Sequence, residues 1–311
     1  MLLHRNLTLA KKLSINPSEV IISSTGVIGQ QLPIDKLLRG IDKIVPELSE
    51  EGGDDATEAI MTTDLKKKSF AVKVRLEDGE VTIGGICKGS GMIMPNMATM
   101  LAFLTTDAAV ESDVLQKLLT NSVNETFNKI SVDGETSTND MVILLANGVS
   151  EIKINEGTEN YSKFLNGLII ICSEMAKTIV SDGEGATKLI TVSVNNAKTK
   201  EDADAIAKAV ANSPLVKTAF YGNDANWGRV LSAIGNSGAD FNPDKVTIKF
   251  DDLPVLLPNY HSDFDEDIVK HILNKKEITL SVDLNEGKES TMWWTCDFTE
   301  NYVKINSRYR T

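Results

Sequence analysis

Apolar residues recur along this chain with two periods, and the changes between them mark the elements. Residues 20–23 are a short β-branched run that stops at Thr25-Gly26, which predicts a strand ending in a tight turn. Pro33 opens a helix with Ile34, Leu37, Leu38, Ile41 and Ile44 at helical spacing, and Pro46 ends it. Residues 54–61 predict a second helix. Residues 70–76 and 81–86 flank Asp78-Gly79, a hairpin signal. A glycine-rich loop, 84–91, leads into the apolar run 97–104, which predicts a buried strand. Val114, Leu115, Leu118, Leu119, Val123 and Phe127 return to helical spacing, and residues 140–146 predict another buried strand. Residues 161–180 form a long helix with few charges, expected to lie largely in the core.

Strands and helices then alternate: strand 189–194, helix 203–211, strand 216–221, helix 227–234, strand 246–250, helix 268–273, and strands 278–284 and 291–295. The pattern predicts an α/β fold of mixed sheets with covering helices. At 311 residues the chain is long enough to bury a core without staples, and 41% apolar with 24% charged residues is ordinary for a globular protein.

Charge and composition then exclude several classes. The net charge is −12, and the densest basic run is only Lys66-Lys67-Lys68, too short to follow a phosphate backbone, so nucleic acid is not an expected partner. Cys87, Cys172 and Cys296 are widely spaced with no CxxC, which predicts buried reduced thiols, with no disulfide framework and no zinc site. The N-terminal dozen residues lack the apolar core of a signal peptide, and residues 164–176 are too short to span a membrane. A cytoplasmic protein without a membrane partner is the expectation.

The chemistry has to do without histidine. Only His4, His261 and His271 are present, and there is no GxSxG elbow, no HExxH and no phosphate-binding GxxxxGK[ST]. A Thr at a chain N-terminus can be its own catalyst, because its α-amine, with an ordinary pKa of about 7.7–8.0, serves as base for its hydroxyl. An internal Thr must first be released by a self-cut, and that requires a loop able to strain the preceding peptide. In residues 88–101, KGSGMIMPNMATML, Gly89 and Gly91 permit unusual backbone angles, Pro95 restrains the chain and Ala98 leaves its carbonyl open.

That segment resembles the self-processing site of the ornithine acetyltransferase (glutamate N-acetyltransferase) family, which cuts within Met-Ala-Thr-Met-Leu, here residues 97–101. Four further segments agree in order. Ser24-Thr25-Gly26-Val27-Ile28-Gly29 with Leu32-Pro33 resembles the family's oxyanion loop, and Met61-Thr62-Thr63-Asp64 a substrate-contacting turn. Residues 133–140, DGETSTND, resemble a signature loop of the second chain, and residues 302–306, YVKIN, closing at Thr311, resemble the family's C-terminus.

The resemblance implies a cut between Ala98 and Thr99, giving an α piece of residues 1–98 and a β piece of residues 99–311. Thr99 would be the nucleophile, with Thr25 and Gly26 as the oxyanion hole. Lys88 would bind a substrate carboxylate, and Glu184, between two glycines in residues 182–187, the substrate's ammonium group. Thr63, with Thr62 as the alternative, would contact substrate, and Asn306 and Thr311 would close the pocket. Residues 133–140 are read as scaffolding, and Trp227 as packing. The implied reaction is ping-pong acetyl transfer from N-acetylornithine to glutamate, without metal or organic cofactor, and some family members also use acetyl-CoA. The implied fold is the layered α/β sandwich of the ornithine acetyltransferase and aminopeptidase group. A heterotetramer of two α and two β pieces is the implied assembly. Family members carry an extra segment before the equivalent of Val20, and its absence here is a departure from the pattern. Two other readings stand beside this one: a self-cleaving aminopeptidase that passes its acyl group to water, and a non-catalytic truncated remnant.

Overall fold

Ten α-helices, four short 3-10 helices and ten strands lie within the residues that the computed structural model describes, 2–94 and 100–308. The helices are α1 (Leu2–Leu13), α2 (Ile34–Ile44), α3 (Gly53–Ala59), α4 (Ser112–Glu125), α5 (Glu159–Ser181), α6 (Lys200–Asn212), α7 (Pro214–Tyr221), α8 (Trp227–Gly235), α9 (Glu266–Leu273) and α10 (Glu300–Asn306). The strands are β1 (Lys68–Leu76), β2 (Gly79–Lys88), β3 (Leu101–Thr106), β4 (Ile130–Ser131), β5 (Met141–Ala146), β6 (Leu189–Ala197), β7 (Thr247–Phe250), β8 (Leu253–Leu256), β9 (Glu277–Asp283) and β10 (Glu289–Cys296).

They form two mixed sheets. The first has the order β1-β2-β3-β5, with β1, β2 and β3 successively antiparallel and β5 parallel to β3. The second has the order β4-β10-β6-β9-β7-β8 and mixes parallel and antiparallel pairs in the same way. Val74, Leu76, Val81 and Ile83 turn one face of the first sheet inward, where α4 and α5 cover it. Helix α5 buries Phe164, Leu168, Cys172, Met175 and Ile179, spaced three or four apart as one helix face requires. It is long and apolar enough by composition to cross a membrane, but that face packs on β1 and β2 and reaches Trp294 and Cys296 of β10. A second core lies where α6 packs on β10 and β6, with α8 on α6 and α9 on β7.

Most expected elements are present, and the differences have local causes. Residues 216–221 form part of helix α7: Ser213 caps it by accepting from the Val216 N–H, and Pro214 occupies the first turn, where no N–H is needed. Residues 20–23 belong to no strand; Val20 is extended, but no ladder forms. Residues 141–146 form an edge strand with Leu145 half exposed, where a fully buried strand was expected. The hairpin turn falls at Glu77-Asp78, with Gly79 opening β2. Of the strand expected at 97–104, residues 101–104 lie in β3, Met100 precedes it, and 97–99 lie outside the described residues. All three cysteines are buried and free, as expected.

Candidate active site

One cavity of about 420 Å³ collects the expected site residues from distant parts of the chain. Thr25 and Gly26 reach it from the loop before α2, and Thr62 and Thr63 from the turn before β1. Lys88 comes from the end of β2, Glu184 from the loop after α5, and Asn306 from the end of α10. Ala98, Thr99 and Thr311 lie outside the described residues. No histidine lines the cavity among the described residues.

Lys88 is 6% exposed, and its Nζ donates to Thr62 Oγ1 at 2.9 Å. Burial pulls its ammonium below the ordinary lysine value, against the opposing charges of Asp64, Asp140 and Glu184. Glu184 is 8% exposed and accepts from Asn306 Nδ2 at 2.9 Å. Neither Lys88 nor Glu184 makes an ion pair among the described residues. The cavity therefore offers one buried cation and one buried anion, which suits a zwitterionic amino acid.

Two glycines make room for Glu184. A Cβ on Gly91 would come within 2.5 Å of the Glu184 carboxyl group, so only glycine lets the carboxylate lie against that loop. Gly185 has φ 73°, and its Cβ would meet the Tyr302 backbone nitrogen at 2.5 Å, so its bareness lets α10 pack there. Thr299 fixes that packing: its Oγ1 donates to the Gly185 carbonyl at 2.7 Å and accepts from the Tyr302 N–H at 3.3 Å, capping α10. Asn306 is thus held by an ordered helix.

A buried ion cluster fixes the turn at 62–63. Lys68 Nζ donates to Asp64 Oδ1 at 2.8 Å and Asp182 Oδ2 at 2.6 Å, with all three side chains almost inaccessible. Asp64 also accepts from the N–H groups of Gly89, at 2.8 Å, and Thr62, at 3.1 Å. Asp182 caps α5 and accepts from the N–H groups of Leu65 and Lys66. The cluster ties the 62–63 turn, the end of β2 and the loop bearing Glu184 into one unit. In the sequence Lys68 is the last of three consecutive lysines, a composition that does not reveal its burial.

The loop at 133–140 carries the approach to residue 95. Asp133 accepts from the N–H groups of Met92, at 2.7 Å, and Ile93, at 2.9 Å. Met92 has φ 55°, a conformation that costs an L-residue roughly 1–2 kcal/mol, and these charge-assisted bonds offset it. The Ile93 carbonyl accepts from the Val132 N–H at 2.7 Å, and the Met94 carbonyl from Thr136 Oγ1 at 2.9 Å. Tyr302 donates its hydroxyl to Asp133 at 3.2 Å. For Asp133 and Thr136 the expected scaffolding role fits this geometry. Trp227, by contrast, packs against the second core and does not line the cavity.

Cysteine chemistry has little room here. Burial pushes the Cys87 and Cys296 thiols well up and that of Cys172 to about 12, so none is a ready thiolate.

The sequence profile of the ArgJ family matches residues 4–311. An arginine biosynthesis bifunctional protein ArgJ of Thermotoga neapolitana is 50% identical over 307 residues, 97% of this chain and 77% of the relative. Its counterpart in Caldanaerobacter subterraneus subsp. tengcongensis is also 50% identical, over 97% of this chain and 76% of the relative. The crystal structure of the arginine biosynthesis bifunctional protein from Bacillus halodurans is 42% identical with a TM-score of 0.66, covering 68% of this chain and all of that one. With the profile matching nearly the whole chain and relatives half identical to it, the chain belongs to the ArgJ family.

Proposed function

We infer that this chain transfers an acetyl group from N-acetylornithine to glutamate in arginine biosynthesis, and that, like a bifunctional relative, it also acetylates glutamate from acetyl-CoA. The observation that carries the reading is the pairing of Lys88 and Glu184, two buried opposite charges without ion-pair partners among the described residues, across one cavity. A charged amino-acid acceptor fits them better than the water of a hydrolase.

The chain first cuts itself. Thr99 Oγ attacks the Ala98 carbonyl, the peptide becomes an ester, and water releases Thr99 as a new N-terminus. In transfer, Thr99 Oγ attacks the acetyl carbonyl while its own amine takes the hydroxyl proton. The Thr25 hydroxyl and the Gly26 N–H donate to the oxyanion; losing one such donor typically raises a barrier by about 2.7–4 kcal/mol. The amine then protonates the departing nitrogen of ornithine, glutamate attacks the acetyl-Thr99 ester, and N-acetylglutamate leaves. Lys88 holds the substrate carboxylate, Glu184 with Asn306 holds an ammonium group, and Thr63 and Thr311 make further substrate contacts. Two copies of each piece, 1–98 and 99–311, assemble into a cytoplasmic heterotetramer.

Intact mass under denaturing conditions tests this directly. Wild-type protein should yield two pieces, ending at Ala98 and starting at Thr99, and Thr99→Ala should stay whole and transfer no acetyl group. A cut Thr99→Ala chain would remove Thr99 as nucleophile. A whole, inactive wild-type chain would favour the remnant reading.

A further inference from the structure

We propose that Asp140 is the acid that gives a proton to the nitrogen of Thr99 when the chain cuts itself. This rests on the reading of Thr99 as nucleophile. Asp140 lies just before β5, which runs parallel to β3 with Met141 opposite Leu101. The Met141 N–H donates to the Met100 carbonyl at 2.9 Å, so Asp140 stands opposite Met100, the residue bonded to Thr99.

Both carboxyl oxygens of Asp140 are inaccessible to solvent, and among the described residues neither closes a full hydrogen bond, although the Met100 N–H lies near enough to favour the charged form. A buried carboxyl group so poorly satisfied is costly and rare. Burial pushes this carboxyl up to about 8, against the opposing pull of the Met100 N–H and of Lys88. It therefore holds its proton at neutral pH. Among the described residues, Lys88 on β2 is the charged group that acts on it; Asp64, Lys68 and Glu184 act on Lys88 in turn.

The cut needs such an acid. Thr99 Oγ forms a bond to the Ala98 carbonyl carbon, shedding its proton to water. The bond from that carbon to the Thr99 nitrogen breaks, and the nitrogen leaves as an amine only if a proton reaches it. Asp140 supplies that proton and is left as carboxylate, which solvent reprotonates. Water then adds to the ester, its hydroxyl going to Ala98 and its proton to Thr99 Oγ. General acids of this kind contribute roughly 100-fold to 10,000-fold.

The test follows cutting of the freshly refolded full chain by intact mass between pH 6 and 9.5. The wild-type rate should fall as pH rises above about 8, as Asp140 loses its proton; a rate that does not fall across this range would overturn the assignment whatever the variants do. Asp140→Asn should cut about 100-fold more slowly at pH 7, with an unchanged melting temperature or a higher one, and Asp140→Glu should regain part of the rate. Hydroxylamine, which opens esters, should not speed the cut in Asp140→Asn, because no ester forms. Rescue by hydroxylamine to the wild-type rate would show that the ester forms without Asp140. Cutting at the wild-type rate in Asp140→Asn beside an uncut Thr99→Ala would sink this inference alone; cutting in Thr99→Ala would sink the nucleophile as well.

Discussion

At Gly91 a missing side chain decides where a charge can sit. A methyl group there would meet the Glu184 carboxyl, the flexible end of a side chain, which can swing away at little cost to the fold. Gly91→Ala should therefore raise KM for N-acetylornithine about tenfold or more, while the melting temperature moves little; steady-state kinetics beside a thermal melt checks both. Asp64 acts through the fold. Burial alone would push its carboxyl up, but the hydrogen bonds from Lys68 and Gly89, the Lys68 charge and the Thr62 N–H outweigh it and hold it below 3.8. The unfolded chain then takes up this proton at higher pH than the folded one, so the stability that Asp64 contributes is present above pH 3.8 and lost as pH falls through its folded value. The urea midpoint should drop as pH falls below about 3.8, and Asp64→Asn should flatten that drop while lowering the midpoint at pH 7. Lys88 was legible in the sequence because it sits inside an ordered motif match, and Glu184 because it lies between two glycines where the resemblance implies a substrate contact. Lys68 and Asp140 were not: one looked like part of a solvated basic run, the other like loop scaffolding, and only the packing reveals that their charged ends are shut away from water.

Elements were legible where one period ran long enough. The α5 stripe and the β1–β2 hairpin follow from spacing, because each has one face that must be buried. Residues 216–221 misled because Val216, Ala219 and Phe220 are apolar and too few to separate a strand from a buried helix. The deciding signal lay just upstream, in Ser213-Pro214, a cap followed by a residue suited to the first helical turn. Ser213→Ala should cost about 1 kcal/mol, read as a lower urea midpoint with an unchanged slope. An unchanged midpoint would mean that burial of Val216 and Phe220 holds the helix without its cap. Residues 20–23 failed for the opposite reason. β-branched residues favour extended backbone, but a strand also needs a neighbour to pair with, and no local pattern can supply one.

At the scale of the molecule, the proposed self-cut need not release either piece, because the first sheet spans both. Strands β1 and β2 belong to residues 1–98, and β3 and β5 to residues 99–311. The two halves meet along β2 and β3, which pair from Ile83–Thr106 to Lys88–Leu101. Helix α5, from the second piece, covers the inner face of β1 and β2, and the buried Lys68 of the first piece holds Asp182 of the second. Separating the pieces would break six register pairs, open an apolar core and part Lys68 from Asp182. The cut protein should therefore elute from a sizing column as one species under native conditions, and the same fraction should give two masses once denatured. Lys68→Met should loosen this joint, so that mild urea, below the main unfolding transition, releases residues 1–98 from the variant and not from the wild type. Release at the same urea concentration from both would mean that the β2–β3 seam and the α5 core hold the pieces together without help from the ion cluster.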